Sequence, residues 1–218
     1  MIIGINKAHF PVTVLGPGRR LGIWVQGCGI GCKGCISQDT WARDPGRDMT
    51  VTQLLDWCRK VTADGFDGVT ISGGEPFDQP LALAALLDGL IEWRNTGRLE
   101  FDILCYSGYP LATLQKKHAP LLARLDALIP EPYIDARPLT RIWRGSSNQT
   151  LVALSERGLS RYTPYLDTPA DGAAKCIQTM LDGGRVWYVG IPARGDMAAL
   201  EQACKKRGVE LTQISWRS

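Results

Sequence analysis

The stretch WVQGCGIGCKGCISQDTW at residues 24–41 sets the terms for the rest of the chain. Cys28, Cys32 and Cys35 stand at C-x3-C-x2-C spacing, surrounded by Gly27, Gly29, Gly31 and Gly34. Glycine lets a backbone take positive φ and pass close to a bulky ligand. Three thiolates within eight residues can therefore wrap one inorganic body. A structural zinc usually takes four ligands, and this loop offers three, with no histidine or fourth cysteine nearby. A [4Fe–4S] cube is commonly held by four cysteines; three would leave one iron open for chemistry. On the loop alone the cube is the favoured occupant. A zinc knuckle completed from a distance, or a set of free thiols, are the competing readings.

The length of 218 residues fits one domain with a small appendage, and a hydrophobic content of 44% is enough to build a core. A net charge of +3 does not point to nucleic acid. The first ten residues hold no charged region followed by a long apolar run, and no apolar run approaches a membrane span. The sequence thus predicts neither an export signal nor a membrane anchor. Seven cysteines, an odd number, then argue against a disulfide framework and for a cytoplasmic chain with metal-bound cysteines.

Residues 1–20 hold short apolar runs broken by Pro11, Gly16, Pro17 and Gly18, with Arg19 and Arg20 read as solvated. Residues 21–26 read as a buried strand that delivers the cysteine loop from its C-terminal end, where α/β folds place their chemistry. A polar turn at 43–48 follows. Thr50 or Thr52 can then cap a helix with Val51, Leu54, Leu55, Cys58 and Val61 on one face, which makes Cys58 a core residue. Residues 68–72 read as a strand running straight into Gly73-Gly74-Glu75-Pro76, whose glycines open the backbone to a ligand. A helix over 81–93, a strand over 101–106 with Cys105 in the core, and a helix over 111–125 come next. His118 reads as solvated, so with two isolated histidines a histidine-based active site is not expected. A strand over 125–133 leaves into a proline-rich loop, and IWRGSSNQ at 142–149 reads as a turn able to hydrogen-bond a polar ligand.

Several of these features line up in one order: GPGRR, the cysteine loop, Thr40-Trp41, SGGEP, SGY and RGSSNQ. The cysteine spacing and GGE resemble radical S-adenosylmethionine (SAM) enzymes. The full set resembles the glycyl-radical-enzyme activases of the anaerobic ribonucleotide reductase type, across roughly residues 10–150. The resemblance implies an α/β fold, an incomplete (β/α) barrel open at one side. It implies a [4Fe–4S] cluster on Cys28, Cys32 and Cys35, with SAM on the fourth iron. By the same carry-over Gly34 and the backbone of Ile36 lie against SAM, and Gly73, Gly74 and Glu75 hold its methionyl end. Ser107, Ser146 and Asn148 are further polar contacts to SAM. The implied reaction is reductive cleavage of SAM to a 5′-deoxyadenosyl radical, which takes a hydrogen atom from a glycine of a partner enzyme. The electron would come from a donor such as flavodoxin or ferredoxin. The rival expectation is a radical SAM enzyme with its own small-molecule or peptide substrate.

Two departures stand out. Ile36 occupies a position where this family often has tyrosine, and Ile129-Pro130-Glu131-Pro132 stands where it often has an Asp-Gly pair. Prolines there cannot donate backbone hydrogen bonds. Past Gln149 the resemblance runs out, which divides the chain into a 1–150 core and a 151–218 appendage. Residues 157–171 read as loop. Strands are expected at 175–181 and 185–191 around Asp182-Gly183-Gly184, a helix at 197–207 ending at Gly208, and a final strand at 209–216. That makes a β-β-α-β appendage packed on the core, the competing reading being that it docks a partner or closes over a substrate. Cys176 and Cys204 lack metal-site spacing.

Overall fold

Leu21, Ile23, Trp24 and Val25 leave no polar side for a strand to turn to water, and such a strand must be covered on both faces. It is: β2 (Arg20–Val25) is buried along its whole length. The computed structural model describes residues 1–170, 177–182, 185–211 and 214–216. Around β2 lie β1 (Ile2–Val12), β3 (Asp48–Thr50), β4 (Gly68–Gly73), β5 (Asp102–Tyr106), β6 (Ala127–Ile129) and β7 (Val152–Ala153). They form one sheet in the order β3-β1-β2-β4-β5-β6-β7. The four central strands run parallel, while β1, β3 and β7 pair antiparallel at the flanks. The fold is thus mixed α/β with a parallel sheet at its centre.

Three helices follow the strands, as parallel pairing requires: α1 (Val51–Val61), α2 (Pro80–Thr96) and α3 (Leu111–Leu122). Thr50 caps α1 through a reciprocal box. Its hydroxyl accepts the Gln53 amide at 3.1 Å, and the Gln53 carbonyl oxygen accepts the Thr50 amide at 2.9 Å. Leu54, Leu55 and Cys58 of α1 then meet Leu83, Leu86, Leu87 and Leu90 of α2 over Ile23, Ile71, Ile103 and Cys105 of the sheet. Cys58 and Cys105 are core residues, as expected. Pro120 lies inside α3, whose backbone leaves helical geometry at His118. The His118 ring rests 5.4 Å from that of Phe77, partly covered where the sequence suggested full solvation.

Alternate residues of each strand face the other way, and that second face is covered by segments the sequence did not place there. Leu104, Ala127 and Ile129 pack against Tyr162 of a further helix, α4 (Glu156–Tyr162). Residues 157–171 were expected to be loop. Gly158 suggested a break, but a Cβ there would sit 1.8 Å from the Asp126 carbonyl oxygen, so glycine serves close packing. Trp24, Val12, Val14 and Leu15 pack against Val189 of a hairpin, β8 (Ile177–Asp182) and β9 (Arg185–Gly190). Gly183 and Gly184 of the expected turn, and Cys176, lie outside the described residues. Helix α5 (Asp196–Lys206) follows and closes on Gly208 at φ +73°. The final strand expected at 209–216 is not formed by any described residue of that span.

Arg20 is the plainest correction. It is fully buried, with Nη2 2.6 Å from Asp102 Oδ1 and Nη1 3.1 Å from Oδ2. Its Nε donates to Thr70, and the Tyr162 hydroxyl donates to the same carboxylate. Burial alone would lower the guanidinium pKa, yet the neighbouring Tyr162 and Asp102 hold it above its ordinary value. Arg19 instead lies over the Phe10 ring. Among the described residues no helix is long and apolar enough to cross a membrane.

Candidate functional site

Parallel pairing brings the C-terminal ends of the central strands level. Val25 is paired with Gly73, and Tyr106 with Ile129. The cysteine loop, the 74–79 segment, the Ser107-Gly108-Tyr109 turn and the 130–151 segment therefore leave the sheet on one side. Between them opens a cavity of about 230 Å³.

Cys28, Cys32, Cys35, Gly34 and Ile36 line one side of it, and Gly73, Gly74, Glu75 and Ser107 another. Ser146 and Asn148 are not in the lining. Ser146 Oγ accepts the Ile134 amide at 3.1 Å, and Asn148 Nδ2 donates to the Pro132 carbonyl at 2.8 Å. Gln149 Nε2 donates to the Glu131 carbonyl at 2.9 Å. The RGSSNQ turn thus holds the 131–135 loop from behind. That loop in turn reaches the cysteines: the Tyr133 amide faces the Cys32 sulfur, and a Cβ on Gly34 would meet Asp135 Oδ1 at 3.0 Å. Glu131 sits at φ +83°, a conformation in which glycine carries no strain.

The sulfurs are set in polar contacts. Cys35 receives the Ser37 amide at 3.4 Å and the Trp41 indole, while burial pushes its thiol pKa up. Burial pushes Cys32 up as well. Among the described residues no three His, Cys, Asp or Glu side chains close on a single metal ion. Asp78 steadies the loop: its Oδ2 accepts the Gly29 amide at 2.9 Å and its Oδ1 the Tyr109 hydroxyl at 2.7 Å. That bond is the main cause holding the Tyr109 pKa up at about 12.

Gly73 and Gly74 have a packing role that the sequence argument did not supply. Gly73 stands at φ +105°, and a Cβ on Gly74 would fall 2.2 Å from the Gly27 carbonyl oxygen. The Gly74 amide donates to Val25 and the Glu75 amide to Gly27, both at 2.8 Å. Glu75 is 1% exposed. Its Oε1 accepts from the Phe77 amide (3.0 Å) and the Ser107 hydroxyl (2.9 Å), its Oε2 from the Gly108 amide (2.8 Å). Burial raises its pKa to about 7 against the pull of those donors.

The remaining wall comes from the far end of the chain. Tyr188, Val189, Gly190, Ile191, Pro192 and Ser215 line the same cavity. The tail is tied to the cysteine loop: the Gln38 amide donates to the Ser215 carbonyl at 2.9 Å, and Gln38 Nε2 to that of Trp216 at 3.2 Å. Ser215 Oγ donates to the Ile36 carbonyl at 3.2 Å. The hairpin was readable from two strand-like runs joined at Asp182-Gly183-Gly184, but nothing in its own residues says that it returns to residues 28–38.

A family model described as a 4Fe-4S single cluster domain matches residues 14–152. The anaerobic ribonucleoside-triphosphate reductase-activating protein of Vibrio cholerae is 34% identical over 151 residues, which cover 66% of this chain and 94% of that protein. Its counterpart in Haemophilus influenzae is 33% identical over 149 residues, with the same shares. The counterpart in bacteriophage T4 is 30% identical over 138 residues, covering 63% of this chain and 86% of that protein.

Proposed function

This chain belongs to the 4Fe-4S single cluster domain family, and from that membership we propose that it is a radical SAM activase that generates a glycyl radical on a partner of the anaerobic ribonucleotide reductase kind. The donor set fits the cofactor. Cys28, Cys32 and Cys35 offer three soft sulfurs to one cavity without converging on a single ion. A cube takes its thiolates on separate irons, and three of them would leave the fourth iron open. When bound, the [4Fe–4S] cluster and SAM supply the redox chemistry, one-electron cleavage of SAM and removal of a hydrogen atom from a glycine Cα.

The protein's share is binding, orientation and exclusion of water. In this reading Cys28, Cys32 and Cys35 hold the cluster. The backbone at Gly34 and Ile36 borders SAM, and Gly73, Gly74, Glu75 and Ser107 form the wall at its methionyl end. Ser146 and Asn148 act one step back, through the 131–135 loop. Asp78 and Tyr109 position the cysteine loop. The sheet, ending on the short strands β3 and β7, is read as an incomplete (β/α) barrel. The division into a 1–150 core and a 151–218 appendage belongs to the same proposal. So do the cytoplasmic setting, the flavodoxin- or ferredoxin-like electron donor and the absence of a nucleic-acid partner.

The observation that carries the reading is the meeting of three cysteines and the Gly73-Gly74-Glu75 wall in one cavity. Anaerobic reconstitution with iron and sulfide, then dithionite and SAM, should yield 5′-deoxyadenosine, and paramagnetic resonance should find a glycyl radical on the reductase partner. Zinc in the anaerobically purified protein, or four protein ligands on the cluster, would overturn it. One feature favours the second reading, an enzyme with its own small-molecule or peptide substrate. Residues 188–192 and Ser215 lie beyond the family match, yet line the cavity.

A further inference from the structure

A strand has two faces and two edges, and three of the four are accounted for in β9. One face carries Val189 into the Val12, Leu15 and Trp24 cluster and sets Trp187 under Lys7, 5.4 Å from ring centre to Nζ. The opposite face carries Tyr188 against the Trp216 ring, 6.3 Å away and edge-on. One edge pairs with β8, Val189 opposite Gln178 and Tyr188 opposite Thr179. Among the described residues no strand pairs with the other edge. The cavity lining shows where that edge looks. A strand that presents a face lines a cavity with every second residue; here Tyr188, Val189 and Gly190 at the end of β9, with Ile191 and Pro192 just beyond it, line it consecutively. The cavity therefore meets the last three residues of β9 along their backbone.

We propose that this free edge of β9 is a docking strand for an extended, glycine-bearing main-chain segment of the protein acted on, held by backbone hydrogen bonds. The inference rests on the activase reading, in which a backbone glycine must reach the cavity that holds the three cysteines. Main chain brought into such a place carries N–H and C=O groups that cost free energy if left unpaired. An exposed strand edge satisfies them without reading side chains. Gly190 has no side chain to crowd the approach, and Pro192, lacking an N–H, ends the run of donors. The curated activating proteins align with about two thirds of this chain, and the family match stops before the hairpin, so this edge is an addition beyond the matched core.

The test uses the full chain, reconstituted anaerobically with iron and sulfide, and a synthetic peptide of alternating valine and threonine around one central glycine. Amide deuterium uptake is followed over residues 185–192, with peptide and with SAM alone. A peptide series with one N-methylated amide each is compared by fluorescence anisotropy. We expect uptake at 185–192 to slow with peptide and not with SAM alone. N-methylation should weaken binding about fivefold at every second residue and little between, since one backbone hydrogen bond is lost each time. Absence of binding, protection only elsewhere, protection by SAM alone, or sensitivity without alternation would each overturn the proposal. Failure of the same wild-type preparation to cleave SAM would instead strike the activase reading, whatever the peptides do.

Discussion

Glu75 carries a carboxylate into a place with almost no water, and its pKa rises to about 7 because of that burial. An acid whose folded pKa exceeds its unfolded value loses stability as pH climbs between the two. The cofactor-free protein should therefore melt lower at pH 8 than at pH 5, with roughly 3 kcal/mol at stake. Glu75→Gln, which imitates the neutral acid, should flatten that slope; a slope unchanged in calorimetry would refute the assignment. Replacing Cys28, Cys32 or Cys35 by Ala should abolish SAM cleavage, while Cys58→Ala should leave iron content intact, because the Cys58 thiol sits in the core with its pKa pushed to about 12 by burial. Iron analysis after reconstitution decides this. The cysteine spacing makes that proposed ligand set readable, since its members are local in sequence. Arg20 was misread for the opposite reason: its partner Asp102 lies 82 residues away. Removing that guanidinium leaves the buried Asp102 carboxylate with only the half-exposed Arg161, 3.3 Å away, and the Tyr162 hydroxyl, and Arg20→Met should cost about 3 kcal/mol in denaturant unfolding.

Helices α1 and α2 and strands β2, β4 and β5 could be placed from the sequence because each shows its period over its own length. Elements defined by what they touch could not. Strand β1 runs through Pro11, β7 spans two residues, and α4 contains a glycine whose reason is the Asp126 carbonyl. The same distinction applies to the end of β4. Gly74 looked like an opening for a ligand, and it is also the point where that strand touches the start of the cysteine loop. Gly74→Ala must push Gly27 away, which should lower stability by about 1–3 kcal/mol and reduce iron uptake in the same preparation. A variant that melts lower yet loads iron fully would show that the loop tolerates the displacement.

At the scale of the molecule, one chain end builds the donors and the other roofs them. Gln178 ties the hairpin to β1 through the Thr13 amide at 2.9 Å and the Pro11 carbonyl at 2.7 Å, while Gln38 ties the tail. Removing these side-chain bonds with Gln38→Ala and Gln178→Ala, which leaves the Gln38 amide on the Ser215 carbonyl, should speed iodoacetamide labelling of Cys35 in the cofactor-free protein about fivefold, the shift expected when about 1 kcal/mol of closure is lost. Labelling resolved by mass spectrometry at an unchanged rate would mean the roof does not shield the thiols. The sequence could not announce this arrangement, since hairpin and loop are joined only through space. It also orders events during synthesis. Ser215 leaves the ribosome long after Ile36, the residue it bonds. A nascent chain thus displays its three thiols bare for the interval in between, open to assembly machinery and to oxygen alike.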